Sequence, residues 1–267
     1  MQKITLPKIG LGTWENTNPV QCAESVSTAL NLGYRLIDTA QGYRNEKYVG
    51  KGIADADVPV EDITVATKVW NSNLTREKVI KSTEQSLQNL GVDTIDILYI
   101  HWPAGSYNPE ETFGAFTTLV DQGKVTHIAV SNFTIPLLEE ALNICDKPII
   151  ANQVEMHPLL KQKEMVKFLQ DHDMYLVAYS PLARGDIFKV SELTEIAQKH
   201  KVSEAQISLA WLMTFENVIP IPKATSRQHI EENLSALQVN LDQEDMEKIE
   251  SITVEKRMVN PRFAPWS

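Results

Sequence analysis

Leu36-Ile37-Asp38-Thr39-Ala40-Gln41-Gly42-Tyr43 is the stretch from which the architecture of this chain can be read. An apolar run from Tyr34 to Ile37 stops at a carboxylate, a glycine turn and a tyrosine follow, and from Asn45 the pattern is helical. This is how a strand delivers Asp38 at its C-terminal end while the loop after it delivers Tyr43. Two later runs finish the same way: Thr64 to Thr67 leads into Lys68, and Ile95 to Ile100 leads into His101. Packing alone gives no reason for four such groups to stand at strand ends. In a closed barrel of parallel strands, side chains at that face meet around one cavity.

The rhythm continues on both sides of this stretch. Lys8 to Trp14 reads as a first strand, with Gly10-Leu11-Gly12 permitting close backbone approach, and Pro19 to Leu32 as a helix closed by Gly33. Asn45 and Thr75 are the expected N-caps of the next two helices. Further helices are expected over Glu110 to Gln122, Ile135 to Ile144, Lys161 to Asp171, Val190 to His200, Glu204 to Thr214, Gln228 to Ala236 and Gln243 to Val254. Strand-like runs begin near residues 8, 34, 63, 95, 125, 149, 174 and 218. Eight strands alternating with helices, without a low-complexity linker, predict one α/β domain over residues 1–267, a (β/α)8 TIM barrel. A doubly wound sheet is the competing architecture. It uses fewer strands, and its GxGxxG fingerprint is not met by Gly10-Leu11-Gly12-Thr13-Trp14.

Composition narrows the function. The 267 residues suit one barrel, and 43% hydrophobic content supports a large core. A net charge of -10, from 25 Lys+Arg against 35 Asp+Glu, argues against nucleic acid or an anionic membrane as partner. Cys22 and Cys145 lack motif spacing and read as reduced thiols. Met1 to Thr5 has no signal-like apolar region and no run is long enough to span a bilayer, so a soluble cytoplasmic protein is expected; a monomer is a separate default expectation. No HExxH or CxxC predicts a metal site, and neither GxSxG nor GxxxxGK[ST] is present.

Each of the four strand-end residues also has a structural reading. Asp38 can cap the turn at Gly42, Tyr43 can be a half-buried aromatic, Lys68 a solvated strand terminus, and His101 a core histidine beside Trp102-Pro103. Their joint occurrence favours a site.

The ordered set Gly10-Leu11-Gly12-Thr13-Trp14, Asp38 to Glu46, Lys68, His101-Trp102-Pro103, Ser131-Asn132-Phe133, Asn152-Gln153-Val154-Glu155, Tyr179-Ser180-Pro181-Leu182 and Ile221-Pro222-Lys223 strongly resembles the aldo-keto reductase family, over essentially the whole chain. The compact length is most similar to small bacterial members, the 2,5-diketo-D-gluconate reductases. The resemblance implies a catalytic tetrad of Asp38, Tyr43, Lys68 and His101, with NADPH reducing a small carbonyl substrate. The residue types suit that chemistry. A tyrosine with an ordinary pKa of about 10 is a poor acid at neutral pH, so Lys68 would stabilise its phenolate, Asp38 would hold Lys68 charged, and His101 would donate a hydrogen bond to the carbonyl oxygen.

The resemblance further implies that Ser131, Asn132 and Gln153 meet the nicotinamide carboxamide, that Tyr179 stacks on its ring, and that Ser180 and Leu182 also contact the cofactor. Read alone, Asn132 can instead form an Asx-turn or cap the helix at Ile135, and Gln153 can satisfy loop backbone. Lys223, Thr225, Arg227 and His229 would hold the 2'-phosphate and adenine, with Glu232 and Asn233 at the adenine end. Ala224 and His229 depart from the commoner serine and arginine, which predicts a weaker preference for NADPH over NADH. Trp14, Trp70 and Trp102, with His101, would wall the substrate pocket, and the short tail from Met258 to Ser267 predicts an open one. The leading expectation is NADPH-dependent reduction of 2,5-diketo-D-gluconate or related dicarbonyls; the alternatives are broad reduction of methylglyoxal and other aldehydes, and a non-catalytic NADP-binding regulator.

Overall fold

Eight parallel strands lie side by side in chain order in the computed structural model, which describes residues 4–266. They are β1 (Leu11–Gly12), β2 (Leu36–Asp38), β3 (Thr64–Val69), β4 (Ile95–Ile100), β5 (Val125–Ser131), β6 (Ile149–Glu155), β7 (Tyr175–Tyr179) and β8 (Val218–Pro220). The sheet curls until β8 returns to β1. There Gly10 N–H donates to the Pro220 carbonyl at 3.0 Å and Gly12 N–H to the Pro222 carbonyl at 3.1 Å, and Gly12 forms a parallel bridge with Lys223. A parallel-strand residue turns its N–H and C=O to the same neighbour, so the two prolines offer carbonyls but no N–H across this seam. That shortage explains why the first strand is two residues long, not the expected Lys8 to Trp14. Glycine is required here: a Cβ on Gly12 would sit 2.6 Å from the Ile221 carbonyl oxygen, and one on Gly10 would sit 2.8 Å from the Leu36 side chain.

Alternation along each strand divides the core in two. Leu36, Ala66, Ile97, Ala129, Ala151, Val177 and Ile219 fill the inside of the barrel. Ile37, Val65, Leu98, Val130, Leu176 and Val218 face outward and pack beneath the helices.

Those helices are α1 (Pro19–Leu32), α2 (Glu46–Ala54), α3 (Arg76–Leu90), α4 (Pro109–Asp121), α5 (Ile135–Ile144), α6 (Lys163–Asp171), α7 (Ser191–His200), α8 (Glu204–Thr214), α9 (Arg227–Ser235) and α10 (Gln243–Glu250). Local sequence sets their ends. Asn18 caps α1 by accepting from Gln21 N–H, Gly33 ends it at φ 114°, and Ser203 with Gln206 forms a reciprocal capping box on α8.

Asn45 and Thr75 occupy the expected N-cap positions, but neither makes a side-chain capping bond. Asn45 precedes α2, but its side chain accepts from the Thr39 hydroxyl and donates to the carbonyls of Thr13 and Asn16, tying two strand-end loops together. Thr75 makes no side-chain cap. Glu111, from α4, instead accepts from Arg76 N–H at the start of α3. Both partners come from distant segments that a local reading does not see. Met1 to Lys3 of the N-terminal segment, and Ser267, lie outside the described residues. Among the described residues no helix is long and apolar enough to cross a membrane.

Candidate active site

The interior layer predicts where the chemistry must stand. Two residues past Leu36 is Asp38, two past Ala66 is Lys68, and two past Ala129 and Ala151 are Ser131 and Gln153. Strand alternation turns all of these inward, at the C-terminal end of the barrel. Tyr43 arrives from a 3-10 turn (Gln41–Tyr43) after β2, and His101 directly follows β4. Gly42 lets that turn lie against Trp70, since a Cβ there would be 2.7 Å from the indole ring.

The four expected catalytic residues are brought together. Lys68 Nζ donates to Asp38 Oδ1 at 2.5 Å, to the Thr39 carbonyl at 2.9 Å and to Tyr43 Oη at 3.4 Å. Lys68 is fully buried and Asp38 nearly so. A buried ion pair is weak evidence for stability, because desolvation offsets its Coulombic gain. One that faces a cavity points instead to function. His101 packs edge-on against both Tyr43 and Trp70, at ring-centroid distances of 5.6 and 5.2 Å.

Burial dominates the electrostatics. It pushes the Tyr43 phenol well above its ordinary range, and the Asp38 carboxylate pushes it in the same direction. Burial lowers the Lys68 ammonium, with Asp38 opposing. His101 is driven well below its ordinary value, first by burial and then by the Lys68 charge. At neutral pH the site therefore holds a protonated phenol beside a neutral imidazole.

A second polar chain runs behind these groups. The Tyr179 hydroxyl donates to Asn132 Oδ1 at 2.8 Å, and Asn132 Nδ2 donates to the His101 carbonyl and to Ser131 Oγ, both at 3.0 Å. The Ser131 hydroxyl donates to the Gln153 carbonyl, and Gln153 Nε2 donates to Asp38 Oδ2 at 2.7 Å. Asn132 does not cap α5. It sits at φ 63°, with its side chain committed to this chain of bonds.

These residues border a cavity of about 850 Å³. Asp38, Tyr43 and His101 line it, as do the expected cofactor residues Ser131, Asn132, Gln153, Tyr179, Ser180, Leu182 and Lys223. Trp14, Trp70 and Trp102 line it too. Thr225, Arg227, His229, Glu232 and Asn233 do not; Thr225 lies in the loop after β8 and the other four on α9, whose N-terminus Ser226 caps by accepting from His229 N–H. Lys223, Arg227 and His229 are exposed, Thr225 and Glu232 half-buried, and Asn233 buried. The donor set fits a nicotinamide dinucleotide, with an aromatic face and amides at the inner end and exposed cations at the outer end.

Two features, the Arg184–Phe188 stretch and Glu155, were not legible as site residues in the sequence. Arg184 lies 4.5 Å over the Trp14 ring at a left-handed kink it forms with Gly185, and Phe188 borders the cavity from the same stretch (Ala183–Lys189). The stretch between β7 and α7 is long for a strand-to-helix loop, which was the available signal. Met258, Val259, Asn260, Pro261 and Phe263 also line the cavity, and Phe263 and Trp266 pack on Trp102 at 5.4 and 5.6 Å. The tail thus forms one wall of the cavity. Glu155 does not line the cavity; it is fully buried at the end of β6 and binds this tail.

Comparison with known proteins agrees with this geometry. The profile described as the aldo/keto reductase family matches residues 8–254. Methylglyoxal reductase DkgB of Escherichia coli O157:H7 is 39% identical over 261 residues, covering 97% of each chain. Glyoxal reductase of Bacillus subtilis (strain 168) is 38% identical over 255 residues, covering 96% of this chain and 92% of that one. A crystal structure provisionally named as a 2,5-diketo-D-gluconic acid reductase B superposes with a TM-score of 0.93 at 34% identity, covering 97% of this chain and 92% of that chain.

Proposed function

The chain belongs to the aldo/keto reductase family, and on that premise we propose that it reduces small aldehydes and vicinal dicarbonyls such as methylglyoxal to alcohols with NADPH. The observation that carries this reading is Lys68 Nζ, bound to Asp38 and within 3.4 Å of the Tyr43 hydroxyl at the inner end of the cavity. NADPH, when bound, supplies a hydride to the carbonyl carbon.

The protein's own groups act on the oxygen. Tyr43, held protonated by burial, gives its proton to the carbonyl oxygen. The phenolate left behind forms beside the Lys68 ammonium, which Asp38 holds in place. His101, kept neutral, orients the carbonyl by a hydrogen bond and does not compete as the acid. Asn132, Gln153 and Ser131 are assigned to the nicotinamide amide and Tyr179 to its ring. Ser180 and Leu182 are assigned to the adjoining part of the cofactor. Lys223, Thr225, Arg227 and His229 are assigned to the 2'-phosphate and adenine, with Glu232 and Asn233 at the adenine end. Trp14, Trp70 and Trp102 form the substrate walls.

Methylglyoxal stands ahead of the sugar acid because the relatives named for methylglyoxal and glyoxal are 39% and 38% identical, against 34% for the structure named for diketogluconate. Reduction of 2,5-diketo-D-gluconate is the second reading. Arg184, a guanidinium in the cavity wall, favours it because it can meet a sugar-acid carboxylate. The test is NADPH consumption with methylglyoxal, glyoxal, an aromatic aldehyde and 2,5-diketo-D-gluconate. Turnover fastest with methylglyoxal is expected, the sugar acid fastest would establish the second reading, and no turnover with any of them would end both.

A further inference from the structure

Glu155 has no part in the chemistry above, yet it is fully buried. Strand alternation turns it inward two residues beyond Gln153, and its register partner on β7 is Tyr179. Among the described residues no lysine or arginine pairs with it. Its carboxylate is filled instead by three N–H donors. Oε1 accepts from Met258 N–H at 2.6 Å and from His157 Nε2 at 2.9 Å, and Oε2 accepts from Val259 N–H at 2.9 Å. A carboxylate taken this far from water is costly unless its oxygens are satisfied. Here two of the three donors are backbone groups of the tail, at the point where the tail begins to line the cavity.

We propose that Glu155 is a positioning residue that pins the C-terminal tail as one wall of the carbonyl pocket and thereby sets which carbonyls are accepted. The proposal rests on the reductase reading for its substrate arm and on geometry alone for its anchoring arm. The wall it fixes carries Met258 and Val259 directly, and Phe263 with Trp102 through the packing beyond them. Glu155→Gln is the sharp perturbation. An amide has one accepting oxygen, so its NH2 must face at least one N–H donor that the carboxylate had satisfied.

The anchoring arm is amide hydrogen exchange followed by NMR. In the wild type, the Met258 and Val259 amides are expected to exchange at least about a hundred-fold more slowly than in an unstructured peptide. Unprotected amides there overturn the proposal without any variant. In Glu155→Gln their exchange should rise by about ten- to a hundred-fold, as for loss of a hydrogen bond to a charged group, while barrel amides hold. If that variant does not fold, Glu155→Asp, which keeps the charge but shortens the reach, replaces it.

The substrate arm compares Michaelis constants. KM for an aromatic aldehyde should rise about tenfold and that for methylglyoxal less than about twofold, with kcat for both within about threefold. A merely structural role would change both substrates alike and raise exchange throughout the barrel, and that result overturns the proposal. If the wild type reduces no carbonyl, the reductase reading falls, and exchange at Met258 and Val259 alone decides whether Glu155 holds the tail.

Discussion

Gln153 donates from Nε2 to Asp38 Oδ2 at 2.7 Å, while Lys68 occupies Oδ1 of the same carboxylate. The side chain assigned to the nicotinamide amide therefore also holds the anion that steadies the lysine. Gln153→Leu is expected to leave a buried carboxylate oxygen unpaired, costing about 1–3 kcal/mol of stability. It should also lower kcat by about tenfold, beyond any loss of NADPH affinity. Denaturant melts, steady-state kinetics and NADPH titration separate these effects; a variant with weakened cofactor binding alone would confine Gln153 to the cofactor.

Tyr43→Phe removes the hydroxyl nearest Lys68 without removing the ring that packs on His101. Turnover of a reactive aldehyde should fall by about 10²- to 10⁴-fold, the usual contribution of a general acid. NADPH affinity should hardly change, because the proton is needed in the transition state. A near-wild-type kcat would remove Tyr43 from the role.

Lys223 is exposed at the rim of the cavity, with Arg227 opening α9 just beyond it. Charge-assisted contacts to a phosphate are worth about 1.5–3 kcal/mol, so Lys223→Ala should weaken NADPH binding by roughly ten- to a hundred-fold. NADH, which lacks the 2'-phosphate, should be nearly unaffected. Equal weakening of both nucleotides would place Lys223 on the pyrophosphate or the loop instead.

The pH dependence of stability should carry a signature of His101. Its folded-state pKa lies well below the ordinary 6.5, because of burial and then Lys68. The unfolded chain therefore binds the extra proton first. The contribution is fully present above about pH 6.5 and is lost as pH falls from there toward the depressed folded value. Denaturation free energies should decline with acid more steeply in the wild type than in His101→Asn, and parallel curves would show that His101 is not held neutral. The same depression predicts no change in kcat near pH 6.5 from this imidazole.

Much of the fold was legible because its signals are local. The run Ile95 to Ile100 and the helices Pro19–Leu32, Ile135–Ile144 and Glu204–Thr214 have the expected bounds, since apolar spacing and flanking turn residues define them within a few positions. Asp38, Tyr43, Lys68 and His101 were legible for a related reason. A charged or polar residue that ends an apolar strand has nowhere to go but the barrel mouth. What escaped depends on partners distant in sequence. Asn45 and Thr75 look like caps until Thr13, Asn16 and Glu111 are folded against their helices. Arg184 declares itself only when Trp14 lies beneath it, and Glu155 only when the tail returns to its carboxylate. Read as sequence, Glu155 was one letter of a motif.

The seam between β8 and β1 has a consequence in time. Every other contact in the sheet joins strands adjacent in chain order, so an open sheet from β1 to β8 can grow as the chain emerges from the ribosome. Gly10 and Gly12 must wait for Pro220 and Pro222, which are synthesised near the end. Contacts so distant in sequence form slowly, because loop-closure entropy must be overcome before they contribute. The barrel is therefore expected to become a ring only after synthesis, and pulse-labelled refolding should find the Gly10 and Gly12 amides protected later than those of β4 and β5. Until that moment the nascent protein is an unclosed sheet with two raw margins, and it is then that it is most open to capture by a chaperone or by another unfinished copy of itself.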